Sequence, residues 1–287
     1  MKETIRVTVG QIGQNGLQQP IYDKEMGLRY TNPKAMWRRA LNVFQVAIQD
    51  QADFVVFPEI TIPESYLWSH IPTISNEHGF IVIGGLEFHT KEQLSGVKYI
   101  DNEAFIVVPG DLLEEGTASA TTWRIPKLYP AESESDWLQE NGYQFHADHR
   151  LYIFKSEEYG NWAVLICVDY LNLPLHEILQ GRIQTLFIVA NNKDLNYYYS
   201  MSDSLHRVLF CNIVVCNMSN YGGSHVFTPY RKAHEREVLK IHGNRTDAAV
   251  TIELPLQFLK SVQLGRGTRD LAERFKTKPS DYHYRGV

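Results

Sequence analysis

Cysteine is scarce: the 287-residue chain has three, Cys167, Cys211 and Cys216, too few and odd in number for a disulfide framework. Free thiols of this kind suit a reducing compartment, where one of them can persist as a reagent, so a cytoplasmic setting is expected. No run approaches the roughly 18 consecutive apolar residues that a membrane helix needs. Met1-Lys2-Glu3-Thr4 leads into an alternating strand rather than the apolar core of a leader peptide. The formal net charge is −5 and the basic residues are scattered, which removes the concentrated basic stripe expected of a nucleic-acid binder. Their densest run, Tyr230 to Glu237, has acids among its bases and reads as a solvated turn or face. There is no G-x-S-x-G elbow, no G-x-x-x-x-G-K-[ST] phosphate loop and no H-E-x-x-H zinc helix. His146-Ala147-Asp148-His149 could be imagined as metal ligands, but a polar loop is the ordinary reading.

What the chain does have is a succession of short apolar strands between helices. Ile5 to Gln11 alternates with period two, as a half-buried strand does. Asn32-Pro33 supplies an N-cap and a first-turn proline, and Trp37, Leu41, Phe44 and Ile48 follow at helical spacing, predicting a helix over 33–50. Phe54 to Phe57 is apolar on both faces, the mark of a strand covered on each side. Further strands are expected at 81–85, 104–108, 162–167, 185–190, 213–216, 224–228 and 248–254, with helices beginning near Pro174 and over 203–211. Strands alternating with helices and hairpins indicate layered α/β with a mixed sheet, and no Pro- or Ser-rich linker divides it.

Three residues stand where chemistry could be placed. Glu59 follows the buried strand Phe54 to Phe57, at the carboxyl end where α/β folds put their sites; a helix-capping or surface glutamate is the plainer alternative. Cys167 ends the run Trp162 to Ile166 and precedes Val168-Asp169, a sharp turn able to aim backbone N–H groups; otherwise it is a small buried hydrophobe. Lys127 is flanked by Pro126 and Pro130, an unusual setting for an idle surface lysine. Cys211 and Cys216 have no such surroundings and read as core.

Taken together, these segments resemble the nitrilase or carbon–nitrogen hydrolase superfamily. Ala52 to Glu59 looks like its strand ending in the catalytic glutamate, Lys127-Leu128-Tyr129-Pro130 like its lysine segment, and Val164 to Asp169 like its nucleophile elbow. Val7 to Gln11, Asn102 to Asp111, His206 to Asn217 and Gly223 to Pro229 are similar to further stretches, extending the likeness over most of the chain. The resemblance implies an α-β-β-α sandwich with mixed sheets that stacks into four layers, over 1–265. It implies a Glu59-Lys127-Cys167 triad with Glu134 as a fourth residue, Glu132 being its competitor for that place. Val168, Asn191 and Tyr66 are the candidate substrate-binding residues. It also implies no cofactor or metal, a homodimer or larger homo-oligomer, and a small amide or nitrile as substrate.

Two features depart from the family pattern. Pro174 stands seven residues after the cysteine rather than six, so the 169–174 loop is longer than usual. Residues 266–287 match nothing in the family and are expected to form an arm, packing on a partner subunit. Asp169, two residues after the cysteine, resembles the amidase form, which favours hydrolysis of a small linear amide or carbamoyl amide. The Lys-Leu-x-Pro string leans instead toward nitrile hydrolysis. A nitrilase-like ligand-sensing or assembly module without turnover is the reading from another class. Tyr197-Tyr198-Tyr199 fits either a pocket wall or a packed aromatic surface.

Overall fold

Phe54-Val55-Val56 has no polar face because both of its faces are covered. Phe54 and Val56 point into one buried cluster with Ile81, Ile83, Ala104 and Ile106, whereas Val55 and Phe57 point into another with Val82, Phe105 and Val107. The period of two in a strand separates these sets onto opposite faces. A computed structural model of the chain describes residues 1–13, 20–23, 27–30, 32–92, 96–113 and 118–286.

The first sheet runs, in spatial order, β17 (Ala248–Pro255), β1 (Thr4–Gln11), β4 (Phe54–Val56), β5 (Ile81–Gly85), β8 (Glu103–Val108) and β9 (Thr121–Pro126). Its centre, β1-β4-β5, is parallel, and the outer pairs are antiparallel. The second runs β11 (Ile153–Ser156), β12 (Gly160–Ile166), β13 (Thr185–Ala190), β14 (Asn212–Asn217), β15 (His225–Phe227) and β16 (Glu237–Lys240). Here β12-β13-β14 is the parallel core. A three-stranded sheet of β10 (Tyr143–Phe145), β7 (Lys98–Asp101) and β6 (His89–Glu92) and a hairpin of β2 (Pro20–Asp23) and β3 (Gly27–Tyr30) complete the strands described.

Helix α1 (Pro33–Gln49) starts as its sequence predicts: the Asn32 side chain accepts from the Ala35 N–H, and proline fills the first position. Its buried stripe, Met36, Trp37, Ala40, Val43, Phe44 and Ala47, lies on the outer face of the first sheet with α2 (Glu64–Ser69) and α3 (Ile71–His78). The approach is close enough that a Cβ on Gly10 would sit 2.6 Å from Val43 Cγ1. Truncating Phe44 to alanine would cost about 3–5 kcal/mol in this layer. Between the sheets, Ile5, Val7 and Val9 share a core with Trp162, Val164, Leu186 and Val214. Leu175 and Leu179 of α5 (Leu173–Leu179) and Tyr198 and Leu205 of α6 (Leu195–Leu205) join it, while Leu173, Ile178 and Tyr197 are exposed. The order is helix, sheet, sheet, helix, as the sequence implied.

Helices α2 and α3 were not anticipated, and more elements differ from expectation. The helix predicted over 203–211 begins earlier, at Leu195, where the Asp194 side chain accepts from the Tyr197 N–H, and its last turn widens into a π-helix over His206–Phe210. A helix not anticipated, α4 (Glu132–Glu140), carries Glu134; with Leu138 its only buried residue, it has almost no apolar stripe to reveal it. Near the C-terminus, α8 (Gln257–Gln263) and α9 (Arg269–Arg274) bring residues 266–286 back onto their own chain. Phe275 and Tyr282 pack with Phe210, Leu259 and Val262 there; Val287 lies outside the described residues. Among the described residues no helix is long and apolar enough to cross a membrane.

Candidate active site

The acid and base side of the site comes from the first sheet. Phe57 continues β4, its N–H donating to the Ile83 carbonyl at 2.8 Å, and the chain then folds over Gly85. The Gly85 N–H donates to Pro58 O at 2.9 Å, and its carbonyl accepts from Thr61 and Ile62. A Cβ on Gly85 would overlap the Glu59 Cα, so only glycine lets the backbone of Glu59 lie this close to β5. Ile60, next in line, takes a left-handed φ of 54°, a conformation a β-branched residue adopts only under local constraint.

That turn delivers a buried carboxylate. Glu59 Oε1 accepts from Lys127 Nζ at 3.0 Å and from Asn102 Nδ2 at 2.8 Å. Glu134, on the first turn of α4, accepts from the same two groups, from Lys127 at 2.7 Å and Asn102 at 2.8 Å. Its second role is local: Oε2 also accepts the Ala131 N–H at 3.0 Å, which holds the helix start in place. Glu132 points outward from that turn and is exposed, so Glu134 is the acid brought to the site. Burial pulls the Lys127 ammonium down, but Glu59 and Glu134 outweigh it and hold its pKa above the usual lysine range. A charge cluster this dry is costly to form and adds little stability, so its retention points to chemistry.

The nucleophile side comes from the second sheet. Strand β12 stops at Cys167, which has a positive φ of 47° and opens a single 3₁₀ turn, Cys167–Leu171. Strain of this kind collects at functional turns. Burial and the neighbouring Glu59 push the thiol pKa up to about 12, against pulls from the Lys127 charge, the Tyr198 hydroxyl and the Asn191 N–H. Tyr198 Oη lies 3.5 Å from Sγ. Two residues on, the buried Asp169 carboxylate accepts the N–H groups of Leu128 at 3.0 Å and Tyr129 at 2.9 Å. Asp169 therefore ties the nucleophile turn to the lysine segment, and burial lifts its pKa to about 7 despite those two donors.

The two sides meet in one cavity of about 380 Å³. Glu59, Lys127, Glu134 and Cys167 line it, with Ile60, Phe88, Ala131 and Trp137 as apolar wall and Ser133, Asn191, Lys193 and Tyr221 around them. Cys211 and Cys216 are fully buried elsewhere. His146 pairs with Asp101 and Asp148 with Arg150, and among the described residues no three His, Cys, Asp or Glu side chains group as metal ligands.

Tyr66 is not brought to the cavity: it stacks on Trp37, with ring centroids 4.6 Å apart, because α2 lies on the helix-covered face of the first sheet. Val168 follows Cys167 in the turn, and its side chain is not part of the cavity lining. Sequence reasoning missed Asn102 and Tyr198 as site residues. Tyr198 had a signal in the Tyr197-Tyr198-Tyr199 run; of the three, Tyr198 alone is buried against the sulfur, while Tyr197 is exposed and Tyr199 packs on Phe227.

No family model matches the chain, and no curated protein matches it in sequence. Solved structures do match in fold. One is a carbon–nitrogen hydrolase superfamily protein from Xanthomonas campestris with an arsenic adduct in its active site: TM-score 0.65, 12% identity, 97% of this chain and 100% of that one. Nit3 of Saccharomyces cerevisiae, from branch 10 of the nitrilase superfamily, gives a TM-score of 0.60 at 15% identity, over 92% and 95%. An amidase variant from Nesterenkonia sp. AN1, with acrylamide added at its active-site cysteine, gives 0.59 at 11% identity, over 91% and 98%. The chain thus has the fold of the nitrilase or carbon–nitrogen hydrolase superfamily.

Proposed function

We propose that this protein hydrolyses the carbon–nitrogen bond of a small linear amide or carbamoyl amide through a thioester on Cys167. The observation that supports this most strongly is the meeting of the Cys167 thiol, the Lys127 ammonium and the Glu59 and Glu134 carboxylates in a single cavity, though they come from separate segments of chain. That cavity lies in a fold shared with amidases that carry an active-site cysteine.

Each group has a task its chemistry allows. The Cys167 thiol is neutral at neutral pH and needs a base at the moment of attack. Glu59 takes the thiol proton as Sγ bonds to the carbonyl carbon, and the carbonyl electrons move onto oxygen. The Lys127 ammonium and the Val168 backbone N–H hold that oxyanion; losing one such donor typically costs about 3–4 kcal/mol of barrier. Collapse breaks the C–N bond, and Glu59 returns the proton to the leaving amine. Water then gives a proton to Glu59 and attacks the thioester, releasing the acid and restoring the thiol. Glu134 and Asn102 hold Lys127 and Glu59 in register throughout. Self-association into a dimer or larger assembly is part of the same reading.

The test is a panel of short amides, carbamoyl amides and nitriles, given to wild type and Cys167→Ala, with ammonia release recorded. Turnover of amides or carbamoyl amides by wild type alone is the expected result. Turnover of nitriles alone would move the reading to a nitrilase, and equal turnover by the alanine variant would remove the thiol from the mechanism.

A further inference from the structure

Four cations that stand apart in sequence are gathered on one patch: Arg207 from the π-helix, Arg231 and Arg236 from the segment between β15 and β16, and Lys276 from the C-terminal arm. Backbone contacts fix this arrangement. Phe275 is buried against Tyr230, and on either side of it the Arg231 N–H donates to Arg274 O at 2.9 Å and the Lys276 N–H to Pro229 O at 2.8 Å. Arg236 Nη2 donates to Arg231 O at 3.0 Å, and Arg231 Nε to Phe275 O at 3.3 Å. Asp203 is the acid among them, shared by Arg207 at 3.1 Å and Arg236 at 3.9 Å. The acids nearest in the same segment are occupied, Glu235 by Lys232 and Glu237 by the Tyr199 hydroxyl. The Lys276 ammonium has no hydrogen bond or ion pair among the described residues, and the charges of Arg236, Arg207 and Arg231 hold its pKa below the usual lysine range.

The patch is remote from the catalytic cavity. Cys167 follows the carboxyl end of β12, whereas Arg207 precedes the amino end of β14, in the same parallel set; β15 is antiparallel to β14, so the segment after it returns to that amino end. Four cations against Asp203 leave an excess of positive charge on a chain whose formal net charge is −5, a local reversal of sign that draws anions. The composition is selective, because a guanidinium presents paired N–H groups to two oxygens of a phosphate and a lysine adds a point charge. So is the extent: a nucleic acid needs a stripe of cations along the surface, whereas one compact group matches a single phosphate.

We propose that Arg207, Arg231, Arg236 and Lys276 form a binding site for the phosphate group of a small molecule, either free phosphate or a phosphate monoester. The site lies outside the catalytic machinery and does not rest on the hydrolase reading.

The experiment measures binding of inorganic phosphate and of glycerol phosphate by calorimetry in low-salt buffer, and the Tm with and without each. Wild type should bind with a Kd of about 1 mM and melt about 2 °C higher at roughly ten times that concentration. Lys276→Ala should bind about 5-fold more weakly, and Lys276→Glu should show no binding. Without phosphate, Lys276→Ala should melt no lower than wild type, since alanine there removes a repulsion rather than a contact. Tighter binding of glycerol phosphate would make an organic monoester the ligand, and tighter binding of inorganic phosphate would make it the free ion; either supports the site. Equal Tm shifts in wild type and Lys276→Glu, or none in either, overturn it. Capture of a single-stranded oligonucleotide by wild type with no binding of phosphate or monoester would also overturn it and assign the patch to nucleic acid.

Discussion

Cys167, just past the end of β12, and Cys216, on β14, sit near the same edge of one sheet, and burial raises the pKa of both thiols. Their surroundings differ. Cys216 faces the backbone carbonyls of Gly10, at 3.5 Å, and Val56, at 3.3 Å, where the two sheets press together. Among the described residues no charge shifts its thiol, and Cys216 is not part of the lining of the Cys167 cavity. Cys167 stands one residue past its strand, in a left-handed turn, against Glu59, Lys127, Tyr198 and a cavity. Burial alone makes a thiol inert; what distinguishes the first from the second is a base to take its proton and space for a substrate.

Several substitutions would sharpen or break that contrast. The largest difference is expected between Cys167→Ala and Cys216→Ala. The first should reduce amide turnover at least about a thousandfold. The second should keep most of the activity and lose about 1 kcal/mol of stability in a urea titration. If Cys216→Ala were the inactive one, the contrast would be reversed. Next comes Glu59→Gln, which keeps the shape but removes the base; kcat should drop about a hundredfold or more. Near-normal kcat there would mean that the thiol finds its base elsewhere. The smallest effect belongs to Tyr198→Phe. Removing the hydroxyl takes away one donor that favours the thiolate, so the pKa of Cys167 should climb further. At a fixed alkaline pH, alkylation by iodoacetamide should slow about 5-fold, the worth of about 1 kcal/mol. In wild type, alkylation of Cys167 should still be accelerating above pH 9, beyond the ordinary thiol range, because its pKa stands near 12.

The parts of this site that could be read in the sequence are those set by local pattern. Apolar runs mark β4 and β12, so the residues just past them, Glu59 and Cys167, could be singled out before any contact was known. Asn32-Pro33 marked the start of α1 in the same way. Asn102 could not be picked out, and Tyr198 could not be told from its two tyrosine neighbours, because their places exist only once β8, β9, α4 and α6 converge, and no local spacing encodes that. Tyr66 shows the same limit: an aromatic residue a few positions past Glu59 in sequence is carried by α2 onto the far face of the sheet. The dual role of Asp169 is equally non-local, since its partners lie 40 and 41 residues back in the chain.

The most direct trial of the whole account is to quench wild type during turnover of a hydrolysed amide and map the modified peptide by mass spectrometry. The account predicts one added acyl group, on Cys167, absent from Cys167→Ala treated alongside. Steady hydrolysis with the acyl group on another residue, or with Cys167 unmodified at every quench time, would contradict it.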